Sequence, residues 1–379
     1  MIYFDNAATT YPKPSSVISA VNLALTRYGG NPGRSGYPMS LDTAAKLYEC
    51  REKAASLFDL NQPENVVLAL NCTHAINMAI KGVLKQGDHV IISNLEHNAV
   101  VRPVHKLYED GLITYDIAAI DENDPEKTVR NFASKINSST RMIFCLHGSN
   151  VFGVISPVYE LGAMAKKNGL LFGVDAAQTA GVLPVSMNRC QIDFLCMPGH
   201  KGLYGPTGTG LLLCAKEKAY NTIMEGGTGS KSRELVQPDF LPDRLESGTV
   251  NSVGSIGLLA GMKFVEKTGI DKIHKKESEL CRFIFEELKK ISGVTLYSDS
   301  MTNKLPIISL NIGDKTGEET AADLARYGIA VRGGLHCARL AHEAYGTLSR
   351  GTARIAPSCF STAQEAVYLL QVIKKLAGH

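Results

Sequence analysis

The residue with the clearest chemical potential in this sequence is a lysine set among small residues. Lys201 lies in Met197-Pro198-Gly199-His200-Lys201-Gly202-Leu203-Tyr204-Gly205-Pro206-Thr207-Gly208-Thr209-Gly210. One apolar run precedes this stretch (Ile192, Phe194, Leu195, Cys196) and another follows it (Leu211, Leu212, Leu213). Short apolar runs bounded by Gly and Pro read as buried strands, which puts Lys201 on the loop between them, close to the core. Lysine is rarely buried without a partner or a chemical task. Burial lowers its pKa and makes the amine a better nucleophile, as Schiff-base formation requires. Taken alone, a lysine beside glycines is an ordinary solvated turn residue. Asp175, 26 positions upstream, changes that reading. It closes the apolar run Leu170-Leu171-Phe172-Gly173-Val174, and an acid at the end of a buried strand faces a site at the C-terminal edge of the sheet. An amine for the aldehyde and a carboxylate that keeps the pyridine nitrogen protonated are the two groups pyridoxal phosphate needs.

The elements that must position these two residues follow from periodicity. Ser15 or Ser16 can cap a helix that ends at Gly29-Gly30, and Asn31 to Gly36 reads as a loop. A second helix is expected from near Ser40 to Phe58. From there strands and helices alternate: strands at 66–70, 90–92 and 141–146, and helices at 73–84, 98–109 and 157–168. Continuous apolar strands alternating with helices imply an α/β fold with a mostly parallel sheet covered on both faces. The pattern shifts after about Gly254, to helices at 255–267 and 271–291 and then shorter pieces at 307–312, 318–327 and 363–376. This predicts a large domain over 15–254 and a smaller C-terminal α/β domain over 255–379.

Composition narrows the function classes. A chain of 379 residues, 44% hydrophobic and 20% charged, is ordinary globular material with a sizeable core. The net charge of +3 is too small to make nucleic acid the main partner. No apolar run approaches the roughly 18 residues of a membrane span, and the start, Met1-Ile2-Tyr3-Phe4-Asp5, lacks the features of a signal peptide. Nine scattered cysteines without a CxxC pair suit a reducing cytoplasm and give no metal pattern.

The spacing Asp175-x2-Gln178, then Gly199-His200-Lys201, resembles the fold-type I pyridoxal phosphate enzymes of aminotransferase class V. Within them it is similar to the cysteine desulfurase and selenocysteine lyase branch. The resemblance runs from Tyr3-Phe4-Asp5-Asn6-Ala7-Ala8-Thr9-Thr10 to Arg354 and implies that residues 1–14 pack on the small domain. By resemblance, Lys201 carries the cofactor and Asp175 pairs with its ring nitrogen, an adjacent cation that should lower the acid's pKa. His97, in Leu95-Glu96-His97-Asn98, stacks on the ring and assists proton transfer. Gln178 and Asn150 serve the phenolic oxygen, and Asn150 also lies by the substrate. Thr73 and His200 bind phosphate, and Cys72 contributes main-chain atoms at most. Thr73 also reads as the N-cap of its helix, whose N-terminal N–H groups suit an anion. Relatives often carry a phosphate-binding serine two residues before the histidine; this chain has Pro198, which offers neither hydroxyl nor N–H. Thr249, in Glu246-Ser247-Gly248-Thr249-Val250-Asn251, matches a loop that reaches the partner subunit's phosphate, so the resemblance implies a homodimer with a shared site.

The chemistry is decided by Val331-Arg332-Gly333-Gly334-Leu335-His336-Cys337-Ala338-Arg339. Cys337 lies in a Gly-rich loop near Arg332, His336 and Arg339, and positive neighbours favour the nucleophilic thiolate. Most of the other cysteines fall in apolar runs (Cys145, Cys196, Cys214) or on expected helices (Cys50, Cys281) and read as core or bystander residues. The loop resembles that of desulfurases, in which the cysteine takes sulfur as a persulfide. The 17 positions to Arg354 resemble the second desulfurase group, with a structured cysteine loop. Arg354 matches the arginine that grips the substrate carboxylate, a role suited to a forked guanidinium; Arg332 and Asn31 are expected to assist it. The expected substrate is L-cysteine, with a sulfur-acceptor protein downstream. The alternatives are selenocysteine lyase chemistry, another class V reaction with Cys337 idle, and a cofactor-binding scaffold without turnover.

Overall fold

The computed structural model describes residues 1–33, 35–216 and 220–378; Arg34, in the expected 31–36 loop, and His379 lie outside the described residues. The chain begins with a short strand, β1 (Ile2–Tyr3), and two helices, α1 (Ser15–Arg27) and α2 (Pro38–Leu57). The alternation that follows is β2 (Val66–Ala69), α3 (Cys72–Lys81), β3 (Asp88–Ser93), α4 (Asn98–Glu109), β4 (Ile113–Ala118), α5 (Pro125–Ala133), β5 (Thr140–Leu146), α6 (Val158–Lys167), β6 (Leu171–Asp175), β7 (Phe194–Pro198) and β8 (Gly210–Cys214). After a long irregular stretch come α7 (Ser252–Thr268), α8 (Ile270–Leu288), β9 (Val294–Leu296), β10 (Ile308–Ile312), α9 (Gly317–Arg326), β11 (Ile329–Ala330), β12 (Arg332–Gly334), α10 (Arg339–Ala344), β13 (Thr352–Ile355) and α11 (Ala363–Leu376).

Strands β2 to β8 form one sheet in the order β2-β8-β7-β6-β5-β3-β4. Only β8 runs against the others, pairing antiparallel with β2 and with β7. Every residue of β6, β7 and β8 is buried, as a sheet covered on both faces requires. One face packs against α2, α6 and α7 through Cys50, Ala54, Leu161, Leu258 and Met262. The other packs against α3 and α4 through Ile76, Ile80, Val100 and Val104. Because β2, β3, β5, β6 and β7 point the same way, their C-terminal ends share one edge of the sheet, where ligands of open α/β sheets bind.

A second, four-stranded antiparallel sheet has the order β12-β13-β10-β9. Its apolar face is covered by Ile284, Phe285 and Leu288 of α8 and Leu369 and Ile373 of α11, with Phe4 from the N-terminal segment in the same core. Strand β1 pairs in parallel with β11, and Asp5 bridges Ala356 just after β13.

The apolar periodicity marks α4 and α11 to the residue, and most other elements within a few positions. It does not mark β4, α5, α10 or β13, nor the short strands β1, β9, β11 and β12. β4 is an edge strand whose sequence, Ile-Thr-Tyr-Asp-Ile-Ala, buries only its two ends. β13 carries Arg354, and a buried arginine breaks the apolar signature of a strand.

Candidate active site

Each strand on the shared edge delivers one group. β6 ends in Asp175, 5% exposed. β7 leads into the 199–209 loop, whose third residue is Lys201. His97 follows β3 and caps α4, its Nδ1 accepting from Ala99 N–H at 3.0 Å. Asn150 follows β5, and Asn71, Cys72 and Thr73 follow β2. Lys201, Asp175, His97, Asn150, Thr73 and His200 all line one cavity of about 230 Å³, with Gln178, Cys72 and Pro198 completing its wall. The sheet thus collects residues scattered over 128 positions (73 to 201) at one point.

Burial sets the electrostatics. It lowers the Lys201 ammonium from its ordinary value, and the Asp175 charge only partly offsets that effect. Asp175 itself is raised, not lowered: in the chain alone, desolvation outweighs the Ala177 N–H and the pull of Lys201. The expected lowering is assigned to the cofactor's ring nitrogen, a cation that the chain itself does not supply. His97 is pushed down to about 4 by burial, then by Lys201, Arg332, Arg354 and Arg102, so its ring is neutral at pH 7.

The start of α3 lines the same cavity through Asn71, Cys72 and Thr73, together with His200. The N-cap of α3 is Asn71, whose side chain accepts from His74 N–H at 2.9 Å; Thr73 lies in the first turn, contrary to the expectation that it caps the helix. Its hydroxyl is therefore not committed to a capping bond. His200 Nδ1 is buried without a hydrogen-bond partner among the described residues. Lys13, which the sequence did not single out, donates to the His200 carbonyl at 2.7 Å and is pushed down to about 8 by burial. A helix N-terminus, a hydroxyl not used in capping, a ring nitrogen without a partner among the described residues and a nearby lysine suit an anion.

The small sheet supplies the rest. Arg354, on β13, is 1% exposed rather than a surface residue. It donates to the Asn150 carbonyl at 2.8 Å and to Asp5 Oδ1 at 2.8 Å. Asp5, also not assigned from sequence, therefore holds the arginine from the N-terminal segment; the quoted Tyr3–Thr10 stretch was the available signal. Cys337 is exposed, whereas the other eight cysteines are buried or half-buried. Its backbone carbonyl accepts from Asn98 N–H at 2.7 Å, the residue beside His97. Asn150 Nδ2 donates to the His336 carbonyl at 2.9 Å. His336 and Cys337 both adopt left-handed backbone, with φ of 51° and 55°, an uncommon state for side-chain-bearing residues that these two contacts hold in place. Further support comes from Tyr345, stacked on Phe152 at 3.8 Å, and from His342, stacked on His336 at 5.8 Å.

The positive ring expected around Cys337 reduces to one residue. Arg332 Nη2 lies 3.6 Å from Sγ. His336 is buried and pushed down to about 2, so it carries no charge at pH 7, and Arg339 is paired with Glu343 at 2.9 Å. Gln178 turns its Nε2 to the Ala7 carbonyl at 3.0 Å while lining the cavity. Asn31 and Thr249 lie 3.4 Å apart, and neither lines the Lys201 cavity of its own chain; Thr249 borders a separate recess with His74 and Ser247.

Comparison with known proteins bears on this arrangement. A probable cysteine desulfurase of Methanothermobacter thermautotrophicus is 32% identical over 389 residues, covering 100% of this chain and 95% of the relative. The apo structure of a cysteine desulfurase from Thermococcus onnurineus NA1 superposes with a TM-score of 0.90 at 30% identity, covering 99% of this chain and 94% of that one. The cysteine desulfurase CsdA from Escherichia coli, solved in an S-sulfonic acid form, gives 0.87 at 26% identity, covering 98% and 94%. The family model described as Aminotransferase class-V matches residues 2–369, and the chain belongs to the class V aminotransferase family.

Proposed function

We propose that this protein is a pyridoxal phosphate-dependent cysteine desulfurase that converts L-cysteine to L-alanine and carries the sulfur as a persulfide on Cys337. The observation that carries the reading is the exposed Cys337, tethered through its own carbonyl to Asn98, the neighbour of His97, which lines the cavity that contains Lys201 and Asp175.

The residues present fit the cofactor. The start of α3, Thr73 and His200 would hold its phosphate, Lys201 its aldehyde carbon, Asp175 its ring nitrogen and His97 its ring face. When bound, it supplies the electron sink that makes the substrate α-proton acidic. Arg354 supplies the carboxylate grip, presented by Asp5 and Asn150. Lys201 Nζ, whose pKa burial lowers, is suited to moving the α-proton. His97 stays neutral and can accept or return a proton without adding charge to the site. Cys337 Sγ takes the substrate sulfur: the substrate C–S bond breaks, an S–S bond forms, and the carbon skeleton leaves as alanine after protonation. A thiol acceptor then removes the sulfur, a step suited to a reducing compartment such as the cytoplasm.

We further propose a homodimer, in which Thr249 and Asn31 of one subunit complete the cavity of the other; Thr249 is exposed and neither residue lines its own cavity, which supports this. The chain divides into 15–254 and 255–379, with 1–14 joined to the second part. α7, which this division places in the second part, packs on α1 and α2 and couples the two.

The test is alanine formation by the cofactor-loaded protein from L-cysteine and from L-selenocysteine, in wild type and Cys337→Ala. Cysteine turnover that disappears in the variant supports the reading. Full-rate cysteine turnover by the variant refutes it, and turnover confined to selenocysteine reassigns the protein as a selenocysteine lyase.

A further inference from the structure

Cys72 is the first residue of α3, and sequence gave its side chain no task. The structure turns its thiol across the cavity floor to within 3.5 Å of Asp175 Oδ1, 103 positions away. The same oxygen accepts from Ala177 N–H at 2.8 Å. Both donors converge on Oδ1, and no hydrogen bond among the described residues reaches Oδ2. The carboxylate is thereby fixed about its terminal torsion with one oxygen engaged by protein and the other left to the cavity. A single backbone donor leaves that terminal torsion, which is broad in carboxylates, free to wander; a second donor from a different element removes the freedom.

The thiol suits the place. It packs against the apolar cluster beneath α3, so its environment is oily on one side and polar on the other. A thiol is a small, weakly donating hydrophobe that tolerates both. Burial and the Asp175 charge raise its pKa well above the ordinary thiol value, so Cys72 keeps the proton it donates.

We propose that Cys72 is a positioning residue for Asp175: its thiol orients the carboxylate so that Oδ2 is the oxygen presented to the cofactor's ring nitrogen. The proposal rests on the cofactor reading given above. It extends that reading to a side chain that touches the acid.

The experiment compares full-length wild type, Cys72→Ala and Cys72→Ser, each loaded with pyridoxal phosphate. Two readouts are taken: the cofactor dissociation constant by equilibrium dialysis, and the position of its visible absorption band. Cys72→Ala is expected to bind about fivefold more weakly, the equivalent of one ordinary hydrogen bond, with a displaced band. Cys72→Ser retains a donor and is expected to restore both values toward wild type. If Cys72 only fills space, serine is no better than alanine, and that order overturns the proposal, as does an alanine variant identical to wild type. Should the alanine variant fail to fold, Cys72→Val, an apolar replacement without a donor, takes its place against serine. A wild type that takes up no pyridoxal phosphate would instead overturn the cofactor reading itself.

Discussion

Removing the Asp5 carboxylate should loosen Arg354 and destabilise the whole chain. Arg354 is 1% exposed and, among the described residues, its guanidinium has two engagements, the Asp5 carboxylate and the Asn150 carbonyl, with Nε left without a partner. Burial lowers its pKa and Asp5 is the main opposing influence, so the ion pair is what keeps a buried charge tolerable. Deleting one partner of a fully buried pair costs roughly 3–5 kcal/mol. The Asp5 side chain is 21% exposed, so water can partly replace it, and the Asn150 carbonyl remains. The expected loss for Asp5→Ala is therefore about 2–3 kcal/mol. Urea denaturation of the loaded protein measures it, and the KM for L-cysteine should rise in parallel because the carboxylate grip loses its alignment. The decisive comparison is Asp5→Ala combined with Arg354→Met. With the buried charge gone, the double variant should recover at least half of the loss. A single variant within about 0.5 kcal/mol of wild type, or a double variant as unstable as the sum of the singles, would refute the reasoning.

Other outcomes follow from the same geometry. Gly210→Ala would place a Cβ 2.5–2.8 Å from the Asn71 backbone, so the start of α3 must shift; cofactor affinity should fall about tenfold or more by dialysis. Tyr345→Ala removes the stack on Phe152 and the bond to Glu122, and should slow alanine formation while leaving the cofactor absorption band in place. Glu96, fully buried and raised to about 8, is mostly protonated at pH 7; its contribution to stability is lost as pH rises from its unfolded value through about 8. Glu96→Gln should therefore raise the melting temperature at pH 8, with a gain that shrinks toward pH 4.5. His147 is pushed down to about 4 by burial, so the unfolded chain takes up its proton first as pH falls; this one residue should cost about 3 kcal/mol between pH 6.5 and 4, and His147→Gln should flatten that slope.

The sequence was most legible where local pattern and local chemistry coincide. Lys201 and Asp175 stand beside apolar runs that are strands, and their meeting follows from β6 and β7 being neighbours in the sheet. Thr73, His97 and Asn150 each follow a strand, so the same rule reaches them. What pattern could not reach was pairing between distant segments. Nothing local connects Asp5 to Arg354 or Cys72 to Asp175. The charge state near Cys337 was also misread from proximity in sequence, because His336 is buried and Arg339 turns to Glu343 one helical turn ahead. The edge strand β4 escaped because half-exposed strands lack a continuous apolar run.

The order of synthesis gives the N-terminal segment a further meaning. Residues 2–5 are made well before their partners: Ile2 and Tyr3 pair with Ile329 and Ala330, and Asp5 meets an arginine 349 positions later. Contacts so distant along the chain close late in folding, after the sheets they join. A nascent chain can therefore assemble the lysine-bearing sheet while its grip on a carboxylate is still missing, and the site becomes whole only when residues 2–5 meet β11 and β13.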